Sequence, residues 1–563
     1  MSGPHVARVY RHVTMGLAVM IALLLAVMAG RPGAADAAQD TTGLQREGRW
    51  LVDQDGRIVL THGVNLVWKN DPYVPPDEPA GFTEADADWL VGHGFTSARV
   101  GTLWVGVSPD APGQIDTAYL DEWGRVVDLL AERRIWSLFD FHQDMLIHEF
   151  QGEGVPEWAV EPGPSTTVLG PPMFGFPFNY FTPQVSEAFD NLWAAGPGSD
   201  AWDGFRDAWI AVATRWADQP YTMGYDLLNE PWAGLEWSTC IFVPQTGCPD
   251  TDRDEIQPFF EHAIAGIRTA DPDGMVWVEP QLLAGGTGSP TGFEPVEGED
   301  QLGYSVHNYC PLTALLQSAE FGLPVPTDQL PDTCDDFERS VFEQSRITAE
   351  RIGAVELVTE FGATDDVELL TRVTALADEH LVGWQYWAYK EWNDPTTQSQ
   401  GSGAQGLFAD DADLSTAKFD KLMVLVRTYP MATAGVPDAV SFDPTTGDFE
   451  YSYTAGNQAA PTEVFVSPLH YDGCHEVTAA GGTITSADQA RVLTVDAEPG
   501  SAVSVSVVAG SGCGRATAPD GQDGESGGPN PTMPVTGGGV GLAALAALLL
   551  GLLTRWAVKV ADR

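Results

Sequence analysis

Two glutamates carry the strongest chemical signal in this chain. Glu230 lies in Asp226-Leu227-Leu228-Asn229-Glu230-Pro231, where an apolar run ends in Asn-Glu and a proline stops it. Glu360 lies in Leu357-Val358-Thr359-Glu360-Phe361-Gly362, at the end of another β-rich run. Two carboxyl groups about 5–5.5 Å apart can flank one glycosidic bond, one as nucleophile and one as acid/base. Each glutamate alone reads equally well as a solvated strand end. The pair gains force only if one fold brings both to the same place.

The surrounding pattern supplies such a fold. Short β-rich runs fall at Val59–Leu66, Thr96–Val100, Ile135–Phe139, Met223–Leu228, Met275–Val278, Tyr304–His307, Val355–Thr359 and Gly383–Trp387. Helical patterns separate most of them; Ala118–Arg133, for example, spaces Leu120, Trp123, Val126, Val127 and Leu130 on one face. Other helices are expected at Thr83–Gly92, Trp202–Trp216, Glu255–Thr269, Phe337–Ile352, Val367–His380 and Thr416–Val426. Strands alternating with helices predict an α/β fold, a (β/α)8 TIM barrel over residues 45–428, whose chemistry sits on the loops at the strand C-terminal ends. Glu230 then follows the fourth strand and Glu360 ends the seventh. Gln143–Asp200, Trp232–Asp254 and Pro311–Asp332 read as long loops at that end. After Pro430 the pattern changes to short alternating strands with frequent turns, predicting a small C-terminal β-sandwich over 430–513. A Gly-, Pro- and Asp-rich stalk is expected over 514–534.

On these residues the chain resembles glycoside hydrolase family 5, a retaining (β/α)8 family of clan A. The resemblance implies Glu230 as acid/base and Glu360 as nucleophile. It also extends to Arg99, His142 in Phe139-Asp140-Phe141-His142-Gln143-Asp144, His307 and Tyr309 in Val306-His307-Asn308-Tyr309, and Trp387 in Gly383-Trp384-Gln385-Tyr386-Trp387. The runs Gly63–Lys69, His142-Gln143-Asp144, Gly152–Ala159 and Gly383–Tyr389 look like those of actinobacterial endoglycoceramidases. That narrower resemblance implies a glycosphingolipid substrate, cut between oligosaccharide and ceramide. Leu146 stands where the glucosyl-reading enzymes carry an aromatic, which makes the endogalactosylceramidase branch a candidate. By the same resemblance Lys69, His142 and Asp144 would hold sugar hydroxyls, Asn229 would meet the 2-OH, and Trp387 would offer a stacking floor. Tyr309 could donate a hydrogen bond to Glu360, and Arg99 would favour its charged form. The neighbouring Glu360 anion and burial would keep Glu230 protonated.

Less specific readings stand beside these. His142, Asp144, His148 and Glu149 could suggest a metal, but no zinc spacing is met, so no metal and no cofactor are expected. The aromatic run Met173–Phe181 and the loop Leu312–Pro326 could line a slot for lipid, or simply pack on the rim. A cellulase-like β-glucanase is the alternative within the enzyme class. A wall-anchored glycan-binding adhesin with an inactive barrel is the alternative outside it.

The ends of the chain point to export. Arg8 and Arg11 precede the apolar run Met15–Met28, and Ala35-Asp36-Ala37 offers a cleavage site, so residues 1–37 read as a signal peptide. Residues 533–563 combine Met533-Pro534-Val535-Thr536-Gly537, an uncharged apolar run and terminal basic residues. This resembles a Gram-positive sorting signal, which implies a sortase as a processing partner; a membrane-spanning tether is the other reading. Either places the body outside the cell, attached to wall or membrane. Six cysteines suit that compartment, and neighbouring pairs suggest Cys240–Cys248, Cys310–Cys334 and Cys474–Cys513. With 28 Lys+Arg against 79 Asp+Glu, the net charge of −51 excludes nucleic acid as a partner, since phosphate binding needs a basic face.

Overall fold

The computed structural model describes residues 43–242, 247–283, 288–310, 331–396, 403–471 and 474–510. Eight strands close a barrel: β1 His62–Leu66, β2 Ser97–Gly101, β3 Trp136–Asp140, β4 Thr222–Asp226, β5 Val276–Val278, β6 Leu302–Asn308, β7 Val355–Phe361 and β8 Gly383–Tyr386. Each neighbouring pair is parallel, including β8 with β1. Every residue of these strands is buried, as expected when helices cover one face and the barrel interior fills the other. Outer helices are set by local chemistry. The Asp116 side chain caps Thr117–Glu132 by accepting from the backbone of Ala118 and Tyr119, and Trp123, Val126, Val127 and Leu130 are buried on one face of that helix. Ser199 caps Asp200–Trp216, and Asp366 caps Val367–His380.

The first strand differs from expectation. The run expected to continue from Val59 to Leu66 breaks before His62, and Ile58–Val59 pairs instead with Thr433 and Ala432. Gln45–Glu47, Trp50–Val52 and Ile58–Val59 join strands β9 Tyr429–Thr433, β12 Thr462–Phe465, β14 Thr483–Ile484 and β15 Val492–Asp496 in one seven-stranded sheet. A second sheet of four holds β10 Gly435–Phe442, β11 Phe449–Ala455, β13 His475–Ala480 and β16 Ala502–Ala509. Phe449, Tyr451, Val503 and Val505 of this sheet pack on Val464, Leu493 and Val495 of the larger one, making the sandwich. Its strands are therefore drawn from both ends of the described chain. The reason is burial under the barrel: Leu51, Val59 and Ala432 cluster with Leu138, Met223, Met275, Val355 and Leu357 of the barrel strands. His62, at the start of β1, is stacked between Trp384 and Tyr429. The sandwich thus braces the barrel at its strand starts and leaves the strand ends to carry chemistry.

The loop expected over Gln143–Asp200 holds helices at Pro164–Leu169 and Pro183–Ala195 and three short 3-10 turns. Thr182-Pro183 begins the second helix, whose Val185, Phe189, Leu192 and Trp193 recur at helical spacing and are buried. Disulfides join Cys240 to Cys248 and Cys310 to Cys334. Cys513, most of the Pro311–Asp332 loop and both chain ends lie outside the described residues.

Candidate active site

Glu230 and Glu360 meet at the mouth of the barrel. Glu230 follows β4 with φ +44°, a left-handed conformation that turns its side chain out of the strand line. Gln143 holds that turn by donating from Nε2 to the carbonyls of Asn229 (2.7 Å) and Glu230 (3.0 Å). Glu360 lies where the β7–β6 register slips, between Val358 and Glu360, which re-aims the side chain. Both carboxyls are buried, and an oxygen of each lies within 4.8 Å of the other. His307 sits between them, its Nδ1 2.9 Å from Glu230 Oε1 and 3.5 Å from Glu360 Oε2.

Arg99, at the centre of β2, organises this floor. Its guanidinium donates to Asp226 (2.9 Å), to Asn229 Oδ1 (3.1 Å) and to Glu360 Oε1 (2.5 Å). Asp140 and Glu279 lie 3.1 and 3.6 Å from it. Tyr309 donates its hydroxyl to the other oxygen of Glu360 at 3.0 Å. Glu360 therefore receives two donors, one of them charged, while Glu230 faces His307.

A second buried cluster adjoins the first. Lys69 Nζ donates to Asp144 Oδ2 (2.5 Å) and Thr396 Oγ1 (3.0 Å), with Asp394 and Glu153 at 3.3 and 3.7 Å. It also lies 4.7 Å from the centre of the Trp387 ring, on which His142 stacks. His142 Nδ1 pairs with Asp140 at 2.9 Å. His142, Asp144 and Glu153 are close enough to surround a cation, and the Lys69 ammonium supplies one. His148 and Glu149 do not join them: both are exposed, and His148 pairs with the Tyr73 hydroxyl. Lys69→Met would leave Asp144, Asp394 and Glu153 without their cation. It is expected to cost about 3–5 kcal/mol of stability by denaturant unfolding; a loss under about 1 kcal/mol would mean that the carboxyls share protons instead.

Residues 52–393 match the family described as cellulase (glycosyl hydrolase family 5), and residues 427–507 match the glycoside hydrolase family 5 C-terminal domain. The chain belongs to glycoside hydrolase family 5. It is 36% identical to Endoglycoceramidase I of Rhodococcus hoagii, over 84% of this chain and 89% of that protein. Among solved structures it resembles Endo-glycoceramidase II from Rhodococcus sp. in a ganglioside GM3 complex, with 26% identity and a TM-score of 0.65 over 82% of this chain and 100% of that one. An endogalactoceramidase structure shares the fold at 21% identity and a TM-score of 0.62, covering 83% and 100% of the two chains. Within family 5 the chain is thus a retaining glycoside hydrolase of the endoglycoceramidase type, and the reading as an adhesin with an inactive barrel is set aside.

A retaining family 5 site needs one carboxyl protonated and one ionised at the start. Burial, then the Asp144 anion, pushes the Glu230 carboxyl up to about 8, against the cations His142, Lys69 and Arg99. The anion with the largest influence is Asp144 rather than the Glu360 expected from sequence. Burial also raises Glu360, and Arg99 opposes it. The donors decide between the two: Arg99 and Tyr309 favour charge on Glu360. Burial lowers His307 to about 4, so its ring is neutral near pH 7. At His142, burial and Lys69 push down, but Asp140 and Asp144 outweigh them and hold it near 9.

The structure brings together the residues expected to catalyse or to bind the sugar: Lys69, Arg99, His142, Asp144, Asn229, Glu230, His307, Tyr309, Glu360 and Trp387 all lie in these two joined clusters. Trp384, three residues before Trp387, instead stacks on His62 in the core, as strand alternation requires. Glu153, Asp394, Thr396, Gln143 and Glu279 were not singled out. Glu153 had a legible signal in its flanking glycines. A Cβ on Gly152 would fall 1.9 Å from the Asp144 carbonyl, and one on Gly154 2.2 Å from that of His142. The glycines therefore let Glu153 pair antiparallel with Asp144 and bring both acids to Lys69. Glu279 had another: Val278-Glu279-Pro280 ends β5 as Asn229-Glu230-Pro231 follows β4.

Proposed function

We propose that this enzyme hydrolyses the β-glycosidic bond between the oligosaccharide and the ceramide of glycosphingolipids, with retention. The observation that carries this is the facing pair Glu230 and Glu360 in a chain 36% identical to Endoglycoceramidase I. Glu360 attacks the anomeric carbon while Glu230 gives its proton to the departing ceramide oxygen. The resulting glycosyl ester is opened by water, whose proton Glu230 takes back. The related Endo-glycoceramidase II has been solved as a lactosyl-enzyme intermediate, which supports this order of events. Asn229 gives one amide proton to the Gln143 carbonyl and keeps the other for the sugar 2-OH. His142 Nε2 is buried with no hydrogen-bond partner among the described residues, which suits a sugar hydroxyl. Asp144 and Lys69 would hold the adjacent hydroxyls, and Trp387 would face the ring.

A lipid substrate brings a membrane close to the mouth. The β3 loop carries Val168, Leu169 and Met173 at 79, 65 and 82% exposure, whereas Phe178 and Tyr180 of the same loop are buried. These exposed apolar side chains support contact with the lipid phase. The loop Leu312–Pro326 lies outside the described residues. A thin-layer assay over purified glycosphingolipids, each offered in detergent and in vesicles, is expected to release free glycan and ceramide. Turnover of soluble β-glucan with no glycolipid cleaved would overturn the proposal in favour of a β-glucanase. A β-galactosyl first sugar is the second reading, supported by Leu146, which is buried beside Gln143 with φ +68°. The panel separates the two when it holds both glucosyl- and galactosylceramide series.

The secreted, surface-attached state rests on the two chain ends, outside the described residues. Sortase transfer would leave Thr536 as the last residue of wall-released protein. A fragment ending at Arg563 would instead support a membrane tether.

A further inference from the structure

Around Arg99 the structure places more acid than one cation can balance. Asp140, Asp226, Glu279 and Glu360 all lie within 3.6 Å of its guanidinium, at 3.1, 2.9, 3.6 and 2.5 Å. All are buried, and Glu230 is a fifth carboxyl nearby. Four buried anions on one guanidinium cannot all stay ionised at tolerable cost, so protons must be kept in the cluster. Glu279 is the member farthest from Arg99. Its Oε2 lies 3.5 Å from Nε2 of His307. Both atoms are buried and neither has a hydrogen-bond partner among the described residues. Two orphaned polar atoms facing each other are explained if one proton lies between them.

The geometry points to Glu279 as a positioning residue for the acid/base: its carboxyl donates a hydrogen bond to His307 Nε2, which leaves the ring proton on Nδ1, aimed at Glu230. This deepens the proposed function and rests on the reading of Glu230 as acid/base. An imidazole that accepts at one nitrogen must donate from the other. Nδ1–H then donates to Glu230 Oε1 at 2.9 Å, so the acid proton of Glu230 resides on Oε2, the oxygen left for the leaving group. When Glu230 gives up that proton, the same Nδ1–H steadies the carboxylate until water restores it. Glu279 itself gains and loses nothing over the cycle. Its surroundings keep the carboxyl protonated: burial raises it first, Arg99 opposes, and the neighbouring acids Asp226 and Glu360 add to the burial. Among the described residues, His307 from β6 and Tyr304 are further titratable groups close to it.

The test reads the tautomer directly, in full-length protein labelled with ¹⁵N-histidine and assigned by comparison with His307→Gln. The Nδ1–H form is expected in the wild type and in Glu279→Gln, whose amide still donates to Nε2. It is expected to be lost in Glu279→Leu. Glu279→Leu should also lower kcat on glycosphingolipids on the order of tenfold, and less on aryl glycosides whose leaving group needs little acid help. An Nε2–H tautomer in the wild type would overturn the proposal, as would a wild-type tautomer in Glu279→Leu. Should Glu279→Leu not fold, Glu279→Gln still decides. A neutral Glu279 predicts that the alkaline limb of kcat/KM keeps its place, whereas an ionised one predicts a shift to lower pH on removing the anion. Failure of the acid/base reading is distinct: it would appear as an alkaline limb that survives in Glu230→Ala.

Discussion

Glu360→Gln is expected to lower kcat on glycosphingolipids by at least about 10⁴-fold, in the range found when a nucleophile is removed from a site that acts as a unit. The amide keeps the shape of the carboxyl but cannot form the glycosyl ester. The loss should come without loss of fold. Arg99 keeps the carboxylates of Asp140 and Asp226 at 3.1 and 2.9 Å, so it is not left as an uncompensated cation. Burial raises the Glu360 carboxyl, which means that the folded state bears its charge at a cost. Removing that charge is expected to leave the melting temperature unchanged or higher at neutral pH, a trade of activity for stability. Two further readouts fix the role. A 2-fluoro glycoside with a good leaving group should trap Glu360 as an ester seen by peptide mass, and azide should rescue Glu360→Gly with formation of the α-glycosyl azide. Labelling of another carboxyl, or near-normal turnover by Glu360→Gln, would remove Glu360 from the role of nucleophile.

How far the sequence reaches can be judged from these same residues. The barrel strands were legible because each is a short apolar run buried on both faces. The two glutamates were legible because strand ends in such a barrel point into one mouth. Lys69 was legible only as a position: its partners Glu153, Asp394 and Thr396 come from the loops after β3 and β8, where no periodicity announces them. The same limit applied to the N-terminal strands. Ile58–Val59 reads as the start of β1, yet its pairing with Thr433 and Ala432 wins, because that pairing covers the apolar base of the barrel. Pairing between residues so distant in sequence leaves no local trace. Glu279 shows the opposite case, in which a Glu-Pro strand end echoed the known site but no spacing told which partner it would meet.

Glu230 sets the other large effect. Glu230→Ala is expected to reduce kcat/KM on glycosphingolipids by about 10²–10⁴-fold, the usual worth of a placed acid/base. The loss should depend on the leaving group. Ceramide departs as an alkoxide and needs its proton, whereas a nitrophenolate departs unaided, so the first step on a nitrophenyl glycoside should lose far less. Deglycosylation then becomes limiting because water lacks its base, and azide, which needs none, should restore turnover with formation of the β-glycosyl azide. The pH profile gives the sign. With Glu230 raised to about 8 by burial and by Asp144, wild-type kcat/KM should fall as pH rises through that value and the acid form is lost. Glu230→Ala should show no such limb. Stability should run in the same direction: a carboxyl whose pKa is raised on folding contributes most below its ordinary value and loses that contribution as pH rises through about 8. Glu230→Gln should therefore flatten the fall in melting temperature between about pH 5 and 8. An alkaline limb that persists in Glu230→Ala would assign the acid to another group, and His142, which Asp140 and Asp144 hold near 9, would then be the residue to test.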